Sequence, residues 1–500
     1  MNGQTSVWLA AAENGAIPGG KVGGVGDVLR DLPLALAAEG CAVRVITPAY
    51  GKFHTLPGAR LHRGLTVRFR GSSRYLQVFE LPGTAPGVRQ FVLEHPLLVA
   101  GEPGRVYFED PPGHAFETDA NRFALFCAAL AAWVEKTDAP PEVLHLHDWH
   151  TGLTPWLLKA GLCRSVFTIH NLAYQGIRPL RGLPGSLEEW FPERAIDTDL
   201  LGDPRYSDCV NFMAAALRSA DGVNTVSARY AQEILQPSDP RLGFVGGEGL
   251  EGVLRQVAAR GRLAGILNGC EYPTPPRRPT WPELRRAVAA RPGLLTDNTL
   301  LKALPVKRPR QLLLSIGRVV GQKVRLFLEP VAGFPTALDA LLDGLGGDGL
   351  LVLLGNGEVP LEEALSAVAA RRDNFLFLRG YAEALTDLLY PAADLFLMPS
   401  SFEPCGISQM LAMRAGTPCV VHGVGGLADT VVHGKTGFVF HGDTPGRQAT
   451  ALVAAVQAAL ALHRDQPAAW KALRKAAGAQ RFSWQRAARS YLDGVYRDGD

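Results

Sequence analysis

The run Asp394-Leu395-Phe396-Leu397-Met398-Pro399-Ser400-Ser401-Phe402-Glu403-Pro404-Cys405-Gly406-Ile407-Ser408-Gln409 decides the fold. It begins as an apolar strand, breaks into a turn at the proline, and sets a carboxylate just ahead of a glycine-opened helix. A strand-to-helix turn of this kind can hold a polyol against Glu403 while backbone N–H groups face an anion. Further strand candidates lie at Ala42–Thr47, Val143–His147, Ser165–His170, Gly222–Ser227 and Leu263–Leu267. A second series follows at Gln311–Ile316, Leu350–Leu354, Asn374–Leu378, Asp394–Met398 and Pro418–His422. Near-continuous apolar strands separated by helical stretches predict parallel sheets covered on both faces. The segment Gly64–Leu93 alternates differently and reads as antiparallel hairpins inserted in the first series.

Two doubly wound α/β domains of Rossmann type, facing across a cleft, are therefore expected. The predicted division is 1–272, a linker at 273–309, a second domain at 310–477, and a closing helix at 478–500 that crosses back. The linker is rich in proline and arginine. Residues 271–310 carry nine Lys/Arg against three Asp/Glu, read as a solvated hinge-side surface rather than a polyanion site.

At 500 residues, 47% apolar and 20% charged, the chain can bury ample core. A net charge of +3 is too mild to imply a nucleic-acid or membrane partner. Seven scattered cysteines without a C-x-x-C pair argue against a disulfide framework or thiolate metal site, and a reducing cytoplasm fits. The apolar run Val7–Ala12 is too short, and lacks the basic start, for a signal segment. Phe123–Val134 falls short of the ~20 residues of a membrane span and reads as a buried helix.

Each candidate motif falls at a strand end, where ligands of open α/β sheets bind. Gly19-Gly20-Lys21-Val22-Gly23-Gly24-Val25-Gly26-Asp27 precedes a helix. Its amides could approach a phosphate, with Lys21 as a point charge, although such loops are often purely structural. His145-Leu146-His147-Asp148-Trp149-His150 ends a strand; its histidines raise the question of a metal, but no further ligand cluster stands at a diagnostic spacing. Arg318 and Lys323, five residues apart after a strand, suit a diphosphate clamp; a salt-bridged surface pair is the plainer alternative.

Together these words resemble the bacterial glycogen synthases and plant starch synthases over nearly the whole chain. The Glu403 loop is similar to that family's F-E-P-C-G-L-x-Q, the Lys21 loop to K-T-G-G-L-x-D-V, and His145–Trp149 to H-x-H-D-W. Thr168-Ile169-His170-Asn171-Leu172-Ala173-Tyr174-Gln175-Gly176 matches T-I-H-N-L-A-Y-Q-G throughout, and Gly265–Glu271 resembles G-I-L-N-G-V-D. Ser315–Lys323 resembles S-R-L-x-x-Q-K-G, and Gly425–Thr430 matches G-G-L-A-D-T.

The resemblance implies a retaining transfer of glucose from ADP-glucose to the 4-hydroxyl of an α-1,4-glucan, with neither cofactor nor metal. It implies His170, Arg318, Lys323, Glu403 and Asp148 as catalytic. Donor or nucleotide contacts would be Lys21, Gly23, Gly24, Asn268, Gly355, Tyr381, Cys405, Gly406 and Ile407, with Asp27 and Asp148 on the acceptor side. The pattern departs at Leu411, where a second carboxylate can stand, at Ala214, where the family usually has lysine, after Glu271, and at Val324. These departures keep open a different nucleotide sugar, a small acceptor, a phosphorylase, or a silent glucan- or nucleotide-binding regulator.

Overall fold

The computed structural model describes residues 4–114, 116–272, 277–294 and 304–497, which divide into two compact units. The first holds Met1–Pro237, Gly246–Gly269 and Trp484–Asp500; the second holds Ser238–Val245 and Cys270–Ser483.

In the first unit the strands are β1 (Ser6–Ala10), β2 (Ala42–Pro48), β3 (Arg60–Phe69), β4 (Ser72–Ala85), β5 (Val88–Glu94) and β6 (Val143–His147). They continue as β7 (Arg164–Ile169), β8 (Ile177–Pro179), β9 (Cys209–Asn211), β10 (Gly222–Thr225) and β11 (Leu263–Gly265). The nine-stranded sheet runs β11-β10-β7-β6-β1-β2-β5-β4-β3, with β8 and β9 pairing apart. From β11 to β5 every pairing is parallel; β4 and β3 then extend the sheet as antiparallel strands. The expected hairpins are thus part of the main sheet, joined to it by β5.

The Glu117–Glu135 helix is apolar on nearly every side and is correspondingly buried. Its Trp133 ring packs 5.0 Å from Trp8 of β1 and 5.3 Å from Phe91 of β5. The amphipathic Trp484–Asp493 helix places Trp484, Ala487, Ala488 and Tyr491 in the core formed by the Gly24–Ala38 helix and the neighbouring strands.

The second unit has β12 (Gln311–Ile316), β13 (Gly349–Gly355), β14 (Phe375–Arg379), β15 (Leu395–Met398), β16 (Cys419–His422) and β17 (Gly437–Phe440). Their order is β14-β13-β12-β15-β16-β17, parallel throughout. Side chains alternate between two apolar clusters: Leu313, Leu351 and Phe377 enter one, Leu312, Val352 and Leu378 the other. Burial on both faces explains why these strands read as continuous apolar runs.

Strand order reverses between β1 and β6 in the first sheet and between β12 and β15 in the second. In each sheet, taken by itself, the loops leaving these strand ends lie where open α/β sheets take their ligands.

Several expectations need correction. Val7–Ala12, read only as a short apolar run, contains β1 at the middle of its sheet, and β17 was not anticipated. The Gly24–Ala38 helix starts inside the glycine motif, so Gly24 and Asp27 occupy its first turn. The arginine-rich stretch is more than a solvated hinge. It folds a Trp281–Ala289 helix with a Thr280/Glu283 capping box, and buries Leu284 and Val288 in the second unit. Arg278 and Arg308 converge on the carboxylate of Asp394 at 2.9 and 2.8 Å. Residues 273–276 and 295–303 of that stretch lie outside the described residues.

Candidate active site

At the first switch point, the loop leaving β1 is organised by a side chain absent from the expected set. Glu13 is buried, and its carboxylate accepts the N–H of Val22 at 2.9 Å and the N–H of Gly23. The other oxygen accepts Tyr107 O–H at 2.7 Å. Those two loop amides are therefore engaged by a carboxylate. Lys21, half-exposed, pairs with Asp27 at 2.8 Å, and Arg30 joins the same carboxylate at 3.0 Å. Gly24 would admit a Cβ freely, whereas one on Gly23 would meet Glu13 at 3.2 Å.

Tyr107 is held from behind. Arg122, fully buried in an ion pair with Asp119, donates to the carbonyls of Arg105 and Val106, and Asp119 accepts Phe108 N–H.

Asp148 follows β6 with φ +55°, a left-handed backbone that costs a non-glycine residue about 1–3 kcal/mol. Its Oδ1 accepts the His170 N–H at 2.7 Å, and its own N–H donates to Thr168 O. Burial pushes its carboxyl up to about 7, against the pull of the His170 and Asn171 amides.

Around it the imidazoles are driven neutral. Burial lowers His145, His150 and His170 to about 3, and lowers His147 well below its ordinary range. His145 spends both nitrogens on Thr168 Oγ1 (2.6 Å) and Tyr496 Oη (2.7 Å). Thr168 donates onward to Asn224 Oδ1, and Asn224 Nδ2 donates to Tyr491 Oη at 3.0 Å. This buried network ties the C-terminal helix of the unit to the strand ends. His147 Nδ1 stands 3.0 Å from His170 Nε2. Asn268 is buried, and its Oδ1 has no partner among the described residues.

At the second switch point, Lys323 lies in the first turn of the Gly321–Leu328 helix and pairs with Glu403. Gln322 bonds the same loop, its Nε2 to Phe402 O (2.6 Å) and its carbonyl from Ser401 N (2.9 Å). The stem of Lys323 passes 3.9 Å from where a Cβ on Gly317 would stand, one residue before Arg318. Arg318 is exposed and makes no ion pair among the described residues. Arg318, Lys323 and Glu403 thus follow strands β12 and β15 at one end of the second sheet.

Glycines here serve close backbone approach. A Cβ on Gly355 would stand 2.0 Å from Gly317 O, on Gly425 1.9 Å from Glu403 O, and on Gly426 2.0 Å from Cys405 O. Gly406 takes φ +74°, and buried Gln409 fixes the loop by donating to the carbonyls of Cys405 and Gly406. Ile407 caps the short Ser408–Arg414 helix that follows. Tyr381 is largely exposed after β14. Leu411, where a carboxylate can stand in the family, packs against the core, and Ala214 is fully buried behind the Asn211 cap.

Sequence reasoning missed Glu13, Tyr107, His147 and Gln409 as site-building residues. Recognising β1 would have found Glu13, which sits three residues past its end.

The starch synthase catalytic domain family matches residues 6–256, and glycosyl transferases group 1 match residues 310–461. The chain is similar to the glycogen synthase of Anaeromyxobacter sp. (strain Fw109-5), 37% identical over 96% of this chain and 97% of that protein. It is 38% identical to the glycogen synthase of Thioalkalivibrio sulfidiphilus over 96% of each. Among solved structures, the catalytic domain of Arabidopsis thaliana starch synthase IV, bound to ADP and acarbose, superposes with TM-score 0.76. It is 28% identical, with 99% of both chains covered. A sucrose-phosphate synthase from Thermosynechococcus elongatus, 21% identical over 98% of each chain with TM-score 0.58, shares the fold. The chain belongs to the glycogen synthase and starch synthase family, hexosyltransferases built from two Rossmann-like α/β domains of the GT-B type.

Proposed function

We propose that this protein moves glucose from ADP-glucose to the non-reducing 4-hydroxyl of an α-1,4-glucan, with retention, in the cytoplasm. The observation that carries the reading is the clustering of Arg318, Lys323 and Glu403 at the switch point of the second sheet. The bound ADP of starch synthase IV supports an adenine nucleotide, and its acarbose supports an α-glucan acceptor.

Arg318 and Lys323 draw on the leaving diphosphate and stabilise its developing charge. Lys21 adds a further cation once it exchanges Asp27 for phosphate. Glu403 and Asn268 hold sugar hydroxyls, and the unpartnered Oδ1 of Asn268 is suited to accept from one. Gly355, Cys405, Gly406, Ile407 and the exposed Tyr381 line the nucleotide side. His170 contacts the donor sugar near the reacting carbon through its side chain and supports the oxocarbenium-like state through its backbone carbonyl, while Asp148 guides the acceptor hydroxyl, with Asp27 also on the acceptor side. A carboxyl near 7 is poised to take or share a proton at neutral pH.

The testing experiment sets ADP-glucose and UDP-glucose against glycogen, maltose and small acceptors, reading nucleotide release and the anomer formed. Release of ADP with growth of α-1,4 chains is expected. Turnover confined to a small acceptor or to UDP-glucose would overturn the assignment.

A further inference from the structure

We infer that His147 is a positioning residue: it fixes the proton of His170 on Nδ1, so that His170 offers the substrate a hydrogen-bond donor. The inference rests on the proposed role of His170 as a sugar contact.

His147 is fully buried, and its Nε2 has no hydrogen-bond partner among the described residues. Its Nδ1 lies 3.0 Å from His170 Nε2, so one of the two rings must donate to the other. Burial holds both rings neutral, and a neutral imidazole carries a single N–H.

Only two arrangements remain. If His170 donates from Nε2, the proton of His147 sits on its own Nε2, an N–H buried without an acceptor. If His147 donates from Nδ1, its Nε2 is a bare lone pair. Both arrangements leave one buried nitrogen unpaired, and of the two an orphaned buried N–H is the rarer condition in folded proteins. The second arrangement is favoured, and it obliges His170 to keep its proton on Nδ1. That nitrogen makes no hydrogen bond among the described residues, and the His170 side chain is only partly covered.

The neighbouring ring cannot substitute. His145 stacks at 4.2 Å on His147, but Thr168 donates to Asn224 and so accepts from His145 Nε2, leaving His145 Nδ1 to accept from Tyr496. Both nitrogens of His145 are committed, and the tautomer of His170 depends on His147.

The test labels the full-length protein with 15N-histidine and reads imidazole tautomers by long-range 1H–15N correlation, with the signal assigned through a His170→Gln variant. His170 of the wild type should be neutral and Nδ1-protonated at pH 7. His147→Leu removes the donor; His147→Asn retains an amide N–H at the position of the imidazole Nδ1, facing His170 Nε2. In His147→Leu the His170 signal should become a tautomer mixture, and kcat/KM for the donor should fall by about 10- to 100-fold, by analogy with losing the partner that orients a metal-ligating histidine. His147→Asn should keep the Nδ1 form and recover most of the rate.

A wild-type His170 protonated on Nε2 overturns the inference, as do equal rate losses in both variants with its tautomer unchanged. Should the leucine variant fail to fold, the wild-type and asparagine spectra decide. The spectra need no donor, so an inactive enzyme with the expected tautomer would count against the proposed reaction alone.

Discussion

At the switch point of the first unit, four imidazoles and Asp148 are held toward neutrality by burial. At that of the second, Lys323 and Glu403 stand as an ion pair beside an exposed Arg318. The strand end of β6 thus carries a neutral cluster where the second sheet carries charges, the first unit's Lys21–Asp27–Arg30 ion pairs lying on the neighbouring β1 loop and the helix after it. A neutral, desolvated cluster directs hydrogen bonds and discriminates among hydroxyls, whereas a cluster that keeps its charges stabilises a departing anion. That division matches a reaction in which a sugar must be oriented and a diphosphate released.

The largest expected effect tests the charged end. Lys323→Ala should lower kcat by ~100-fold, as loss of one transition-state donor does, with acceptor KM little changed. Steady-state nucleotide release measures it. Unchanged kinetics would remove Lys323 from the mechanism and leave its contact with Glu403 as a structural pair.

The next contrast sets a glycine of each end against the other. A Cβ on Gly425 would overlap the Glu403 carbonyl, and its φ of +42° is unfavourable to other residues. Gly425→Ala should cost about 1–3 kcal/mol from overpacking and displace Glu403. Melting should fall by several degrees and donor KM should rise. Gly24 has open space for a Cβ and ordinary backbone, so Gly24→Ala should leave melting unchanged. A rate loss there without a stability loss would mark direct ligand contact; no loss of either kind would remove Gly24 from the site.

What the chain revealed on reading follows the same division. Val143–His147 and Gln311–Ile316 were legible to the residue because buried parallel strands are continuous apolar runs ending in polar or glycine residues. Glu403, Arg318 and Lys323 were legible through local words at strand ends. Glu13 was not, because its role consists of accepting from residues nine, ten and 94 positions away, which no periodicity records. The Trp281–Ala289 helix had a visible signature in Thr280-x-x-Glu283 followed by Leu284 and Val288 at helical spacing. The density of arginine and proline around it argued for linker instead.

A third prediction concerns pH. His145, His150 and His170 stand near 3 in the fold against about 6.5 unfolded, and His147 shifts the same way. Their stabilising contribution is complete above pH ~6.5 and declines below it, as the unfolded chain takes up protons that the fold refuses. Asp148, near 7 in the fold against about 3.9 unfolded, acts oppositely: its contribution is present at low pH and is lost as pH rises toward 7. Four groups outweigh one, so urea midpoints should rise from pH 5 to pH 6.5. Asp148→Asn should steepen that rise. A flat or falling profile in the wild type would show that burial does not hold the cluster neutral, and the contrast between the two ends would fail.

The smallest effect reaches the neutral cluster from behind. Tyr491, on the Trp484–Asp493 helix, accepts from Asn224 Nδ2, and Asn224 accepts from Thr168, which accepts from His145. Tyr491→Phe removes the outermost acceptor and leaves a buried amide N–H short of a partner, at a cost of about 1 kcal/mol. That is worth ~2–4 °C in melting for a unit of this size. Because the network lies wholly within the first unit and includes none of the proposed phosphate contacts Arg318, Lys323 and Lys21, ADP affinity should not change. Calorimetry and ADP titration on one variant separate the two ends: lowered melting with unaltered ADP binding supports their independence. Weakened ADP binding would mean that the hydrogen-bonded cluster and the charged one are coupled.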